Sequence, residues 1–175
     1  DLQQDFKISS GRLEGVKKGK NSDLKIVEER TFDSFWDKIL IPNLENKHQA
    51  KPVHSEEEIK LLHKKFPENI RQFNVYDKNK IIAGTTIFES KNVVHSQYIS
   101  GNEDKNETGS LDFLHHYLIT EVFKDKKYFD FGISNEEGGK KLNEGLIFWK
   151  ESFGARTITQ DFYEVETANY VKLEN

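Results

Sequence analysis

Residues 128–154 read YFDFGISNEEGGKKLNEGLIFWKESFG. An aromatic strand, 128–134, runs into a glycine-rich loop. A helix follows whose apolar stripe is Leu142, Leu146, Trp149 and Phe153, and it ends at Gly154. A loop that leaves a strand and enters a helix N-terminus can hold a polar or charged ligand, because the first helical turn presents unpaired N–H groups. Gly138-Gly139-Lys140-Lys141 lies in that loop. It can cradle a phosphate through backbone N–H groups and lysines, or be an exposed turn. The Gly-x4-Gly-Lys-Ser/Thr spacing of a P-loop is absent.

Upstream, the periodicity gives the remaining elements. Leu24 and Ile26 mark a first strand over 23–29. Phe32, Phe35, Trp36, Ile39 and Leu40 recur at helical spacing over 32–47, where Pro42 should kink or interrupt the helix. Ser55 and Glu58 have the spacing of a capping box ahead of a second helix that Pro67 stops. Three β-rich stretches, 70–77, 80–89 and 92–100, are separated by turn-like tetrads and read as an antiparallel meander. A polar loop, Gly101 to Gly109, leads into a third helix marked by Leu111, Leu114, Leu118 and Val122, capped by Thr108 or Ser110. The fourth helix is the one ending at Gly154, and 156–165 reads as a last strand. The order β-α-α-β-β-β-α-β-α-β predicts an α+β fold, a mixed but mostly antiparallel sheet with helices on both faces.

Composition narrows the functional classes. The 175 residues suit one domain, and a net charge of −4 with both signs interspersed argues against bulk electrostatic binding of nucleic acid. Without cysteine there are no disulfides, thiolate metal sites or cysteine nucleophiles, which fits a cytoplasmic home. No apolar run reaches the length of a membrane span. His115 and His116 are adjacent on one helix and point in different directions, so they cannot form an i,i+4 metal pair, and His63 and His95 carry no signal. No metal site is expected. Residues 1–22, with Arg12, Lys17, Lys18 and Lys20, read as a basic arm or as a helix joining to another lobe. The first residue is Asp1 and methionine is absent throughout, so a fragment of a longer protein is expected.

The segment Asp130-Phe131-Gly132, then Gly145-Leu146, then Trp149-Lys150-Glu151-Ser152-Phe153-Gly154, resembles the "DFG … GL … FKxxFG" signature of the Fem-like branch of the GNAT acyltransferase superfamily. Lys51-Pro52-Val53-His54 and Gln97-Tyr98-Ile99-Ser100 are similar to it as well. The match covers the chain from about residue 10 and corresponds to the second of two GNAT lobes. The resemblance implies a lobe over 23–166 with a tail at 167–175, and an N-terminal partner lobe outside this chain. It also implies transfer of an acyl or aminoacyl group from acyl-CoA or aminoacyl-tRNA, acting as co-substrate rather than tightly bound cofactor, to an amine on a small molecule, peptide or cell-envelope precursor. In such folds the donor lies where two neighbouring strands part, here 92–100 and 128–134, with the backbone of Tyr98, Ile99, Ser100 and Gly101 facing it. Gly109 and Ser110 stand where ordinary acetyl-CoA enzymes carry a pyrophosphate loop. The sequence there is NEDKNETGS, with no arginine, and Glu103, Asp104 and Glu107 repel a pyrophosphate.

The resemblance marks three catalytic candidates. Asp130 is the carboxylate near the gap, or else an exposed strand residue capping the next loop. Lys150 is the lysine matched on the last helix, or else a solvated lysine. His54 lies in the loop on the acceptor side, where a histidine can serve as base, or else is a loop histidine before a helix cap. Gly138, Gly139 and Lys141 complete the candidate donor contacts. The rival reading is a non-catalytic lobe that binds a ligand or supports a catalytic partner. Transfer of RNA-borne groups is not indicated by the net charge.

Overall fold

The computed structural model describes residues 1–161, 163, 164 and 166–172. Helix α1 is Ser10–Asn21 and strand β1 Lys25–Glu29. Helix α2 runs over 33–48, with a π-helical turn at Trp36–Leu40, and α3 is Glu56–Lys65. The meander is β2 Ile70–Asp77, β3 Lys80–Glu89 and β4 Val93–Gly101. One-turn α4 (Lys105–Thr108), α5 over 110–122 and β5 (Tyr128–Asp130) follow. A small hairpin, β6 Asn135–Glu136 and β7 Lys141–Leu142, precedes α6 Glu144–Glu151. Among the described residues no helix is long and apolar enough to cross a membrane.

The main sheet has the order β1-β2-β3-β4-β5, antiparallel except for the parallel pair β4–β5, which α5 joins by a crossover. Alternation along β2 sends Phe73 and Val75 to one face, where they meet Val94, Leu114, Leu118 and Phe123. On the other face Ile70, Ile81 and Tyr98 meet Phe32, Phe35, Trp36, Ile39 and Ile59 of the α2–α3 layer. A buried polar chain pins α2 to that face: Trp36 Nε1 donates to Thr86 Oγ1 (3.1 Å), whose hydroxyl donates to Gln72 Oε1 (2.7 Å). The capping box at Ser55 and Glu58 forms with both bonds present.

Several expectations are corrected. Pro42 does not interrupt α2, because the π turn precedes it: the Ile41 N–H bonds Trp36 O, so the ladder is already displaced where the missing N–H would fall. The strand expected over 128–134 stops at Asp130. Gly109, not Thr108 or Ser110, holds the cap position of α5. Residues 156–161, 163 and 164 form no strand, and Phe162 and Val165 of the expected last strand lie outside the described residues. Ile158 and Tyr163 are exposed, and the N-terminal segment lies along that flank instead. Leu2 N–H bonds Lys127 O (2.8 Å), Ser9 N–H bonds Ser152 O (2.8 Å), and Leu2 and Ile8 pack near Phe131 and Phe153.

Residues 10–21, read as arm or helix, form α1, and Gly15 and Gly19 let it lie directly on α5. A Cβ at Gly15 would sit 2.0 Å from Asp112 Oδ2, and one at Gly19 would sit 2.6 Å from Phe113 Cβ. Asp112 ties three elements together: its Oδ1 accepts from Arg12 (2.8 Å) and from Trp149 Nε1 of α6 (2.9 Å). At the joint, Gly109 has φ of +65° and a Cβ there would lie 2.1 Å from Gly15 O. Gly109→Ala is therefore expected to cost about 2 kcal/mol or more, through backbone strain and overpacking, as read from urea-unfolding midpoints. An unchanged midpoint would show that α1 is not seated on α5 in this way.

Candidate functional site

Strands β4 and β5 pair for three residues, Val93 with Tyr128, Val94 with Phe129 and His95 with Asp130. They then part. From Ser96 to Gly101 the β5-facing edge of β4 has no strand partner among the described residues. On its other edge, the register against β3 jumps from Tyr98–Thr86 to Ser96–Ile87, so Gln97 is an extra, unpaired residue just beyond the point of separation. This β-bulge reverses the alternation: Ser96 faces α5, whereas Tyr98 faces α2.

The Asp130-Phe131-Gly132 run is what turns the chain away. Asp130 Oδ1 accepts the Gly132 N–H at 2.8 Å, closing a tight Asx-type turn, and Gly132 takes φ of +71°, where a side chain is disfavoured. Phe131 is buried against Phe153 and Trp149. Lys150, buried beneath the turn, donates through Nζ to Gly132 O (3.0 Å) and Ile133 O (2.5 Å). Lys150 is thus not a solvated lysine. Burial pulls its ammonium down to about 8, while nearby Asp130 and the two carbonyl bonds favour the charged form.

Asp130 does more than cap. Its Oδ2 meets His95 Nδ1 at 2.7 Å, and that bond, with help from the Gly132 N–H, holds the carboxyl below the usual aspartate range. His95 stands opposite Phe88 on β3, which packs in the α2–α3 layer beside His54. His54 and Tyr98, both expected site residues, do meet: Tyr98 Oη lies 2.8 Å from His54 Nδ1 and accepts the His54 N–H at 3.1 Å. Burial raises the Tyr98 phenol, so it stays protonated. One side of the gap therefore gathers His54, Tyr98, Phe88, His95 and Asp130.

On the α5 side, His115 is fully buried among Phe131, Trp149 and Phe153. Its Nδ1 bonds Leu111 O at 2.9 Å and its Nε2 faces Ser96 Oγ at 3.4 Å. Burial drives it from 6.5 to about 4, with Lys150 adding to the shift, so it is neutral at pH 7.

The other expected donor contacts lie elsewhere. Ser100 Oγ and Gly101 O accept from Asn43 Nδ2 at 2.8 and 2.6 Å, which ties the end of β4 to α2. Ile99 packs near Ile119, Phe131 and Phe153. Gly109 and Ser110, at the N-terminus of α5, are buried beside α1. Gly138, Gly139 and Lys141 sit at the exposed tip of the β6–β7 hairpin, with Lys141 near Glu136 and Glu137. The fold also brings Asp33, Asp37 and Glu56 together, which spacing did not foretell, but Lys60 Nζ occupies the group, 2.7 Å from Asp33 and 2.5 Å from Glu56.

No protein-family model matches the chain, and no curated protein matches it. Solved structures resemble it. An aminoglycoside acetyltransferase from an uncultured soil metagenomic sample, in complex with trehalose, is 14% identical with a TM-score of 0.55, covering 82% of this chain and 97% of that one. The C-terminal DUF2156 domain of a protein named as a lysylphosphatidylglycerol synthetase from Agrobacterium fabrum is 16% identical with a TM-score of 0.55, covering 89% of this chain and 54% of that one. L-PGS from Bacillus licheniformis is 16% identical with a TM-score of 0.60, covering 87% and 54%. The chain spans about half the length of the last two. At these identities the likeness establishes the fold, that of GNAT-like acetyltransferases.

Two consequences are measurable. Lys150→Met strips two carbonyls of their donor, and a lost partner at a buried group costs about 1–3 kcal/mol. Faster amide exchange near 132–134 and a lower unfolding midpoint are expected, and neither change would mean that the lysine does not hold the turn. His115 binds a proton in the unfolded chain between pH 6.5 and about 4 but not in the folded one. Stability therefore falls on acidification through that window, by up to about 1.4 kcal/mol per pH unit. In urea titrations at pH 7 and 5, His115→Asn, weaker at both, should lose that step.

Proposed function

We propose that the chain is an N-acyltransferase lobe in which the gap between β4 and β5 receives the carbonyl of an activated acyl donor. The parting of the two strands after His95 and Asp130 carries this reading. The free edge of β4, bulged at Gln97, offers backbone groups to a developing oxyanion, and such preorganised donors are the main electrostatic aid in acyl transfer. The acceptor amine then approaches from the side of His54 and Tyr98. Of the candidate groups at the gap, Lys150 shapes it by holding the 132–133 carbonyls, and Asp130 shapes it by closing the turn. The acetyltransferase and L-PGS names among the structural neighbours support an acyl or aminoacyl group as cargo, and the 128–154 signature supports the Fem-like branch.

The covered N-terminus of α5 favours a donor whose charge is bound elsewhere, such as aminoacyl-tRNA, over coenzyme A. The half-length coverage of two neighbours favours an N-terminal partner lobe. The same covered N-terminus also favours a second reading, a non-catalytic lobe supporting a partner. The full-length protein, incubated with acyl-CoA or aminoacyl-tRNA and a panel of amines, is expected to turn over with aminoacyl-tRNA. Failure with both donor classes would refute catalysis and leave the supporting-lobe reading. Tight coenzyme A binding by calorimetry would overturn the donor preference.

A further inference from the structure

Resting on the acyl-transfer reading, we infer that His95, held by Asp130, is the base that takes the proton from the acceptor amine. His95 is the last residue of β4 paired with β5, so its ring stands at the mouth of the gap. Its side chain is 31% exposed, which leaves it reachable from solvent. Asp130 grips Nδ1 at 2.7 Å and cannot swing away, because its other oxygen is fixed by the Gly132 N–H at 2.8 Å. A carboxylate only accepts, so Nδ1 carries the proton and Nε2 keeps its lone pair. Gly132 leaves that ring uncovered: a Cβ there would lie 3.3 Å from His95 Cε1 and 4.0 Å from Nε2.

His54 has the opposite disposition. Tyr98 Oη accepts the His54 N–H and can give its own proton to Nδ1, the arrangement in which the ring proton of His54 is on Nε2. His54 is therefore suited to donate a hydrogen bond and His95 to accept a proton. Asp130 on β5 faces His95, Lys150 of α6 lies near Asp130 beneath the turn, and His54 packs beside Phe88, the β3 residue opposite His95.

In the step, the amine nitrogen attacks the donor carbonyl carbon and the C–N bond forms. The carbonyl π pair moves to oxygen, and the N–H proton passes to His95 Nε2. Collapse of the oxyanion breaks the bond to the leaving oxygen or sulfur of the ester or thioester donor, and that atom takes the proton from Nε2. The products are an amide and a free alcohol or thiol. Asp130 stays ionised and acts as a positioning residue.

The test is the pH profile of single-turnover transfer by the full-length protein, using aminoacyl-tRNA and acyl-CoA as donors. His95→Gln is expected to lower the rate about 100- to 10,000-fold with little change in acceptor KM, to lose the acidic limb, and to regain rate with added imidazole. Asp130→Asn keeps an oxygen for the Gly132 N–H; it should slow transfer, move the acidic limb to lower pH, and add nothing in the double variant. Circular dichroism checks that each variant is folded. A folded His95→Gln that keeps the parent's rate and acidic limb overturns the His95 assignment alone. No turnover by the parent with either donor overturns the transfer reading and this assignment with it.

Discussion

The end of β5 is the constraint on which the site depends. A strand beside a free edge tends to go on pairing, because each further residue satisfies backbone groups on both chains. Here the pairing stops after three residues, and the chemistry of the stop is explicit. Asp130 takes the Gly132 N–H, Gly132 supplies the left-handed turn, and the buried Lys150 satisfies the carbonyls of 132 and 133. The groups that would have bonded β4 are thus satisfied locally, and β4 keeps an unpaired edge. Burying an ammonium is costly unless it is well hydrogen-bonded, and the two carbonyls meet that condition. The same turn aims the second oxygen of Asp130 at His95, so one carboxylate both opens the gap and orients the imidazole at its mouth.

The two faces of the sheet treat the gap differently. On the α5 side it is backed by an aromatic cluster around a neutral, buried His115. On the α2 side the lining is polar, with His54, Tyr98 and His95 near Phe88. In the proposed reaction, that asymmetry is what assigns the acceptor to the α2 side. The N-terminal helix sets a second limit. By lying on α5 through Gly15 and Gly19, and by binding Asp112 through Arg12, α1 covers the N-terminal end of α5.

Much of this was legible in the residues. The β-branched runs and turn tetrads marked the meander, the Ser55–Glu58 spacing marked a helix start that forms with both bonds, and the 128–154 signature pointed to the right architecture. Local spacing went wrong at several places. Pro42 is absorbed by a π turn, and Ile158 and Tyr163 find no apolar face to pair with. Glycines spaced four apart in a basic segment left arm and helix both open, and they form the flat side of a helix seated on another.

His95 shows the division most clearly. Its residue type was visible, but it had no partner within reach along the chain, and a parallel register that matches it to Asp130 across 35 positions has no local signal. Periodicity and turn chemistry act over a few residues, so the sequence by itself determined most of the elements and the capped start of α3. Which side chains meet depends on how strands are staggered and where one of them leaves the sheet. Only tertiary packing decided that, because the burial of Phe131 against α6 and the bonds from Lys150 of α6 to the carbonyls of 132 and 133 hold the chain after β5 away from β4.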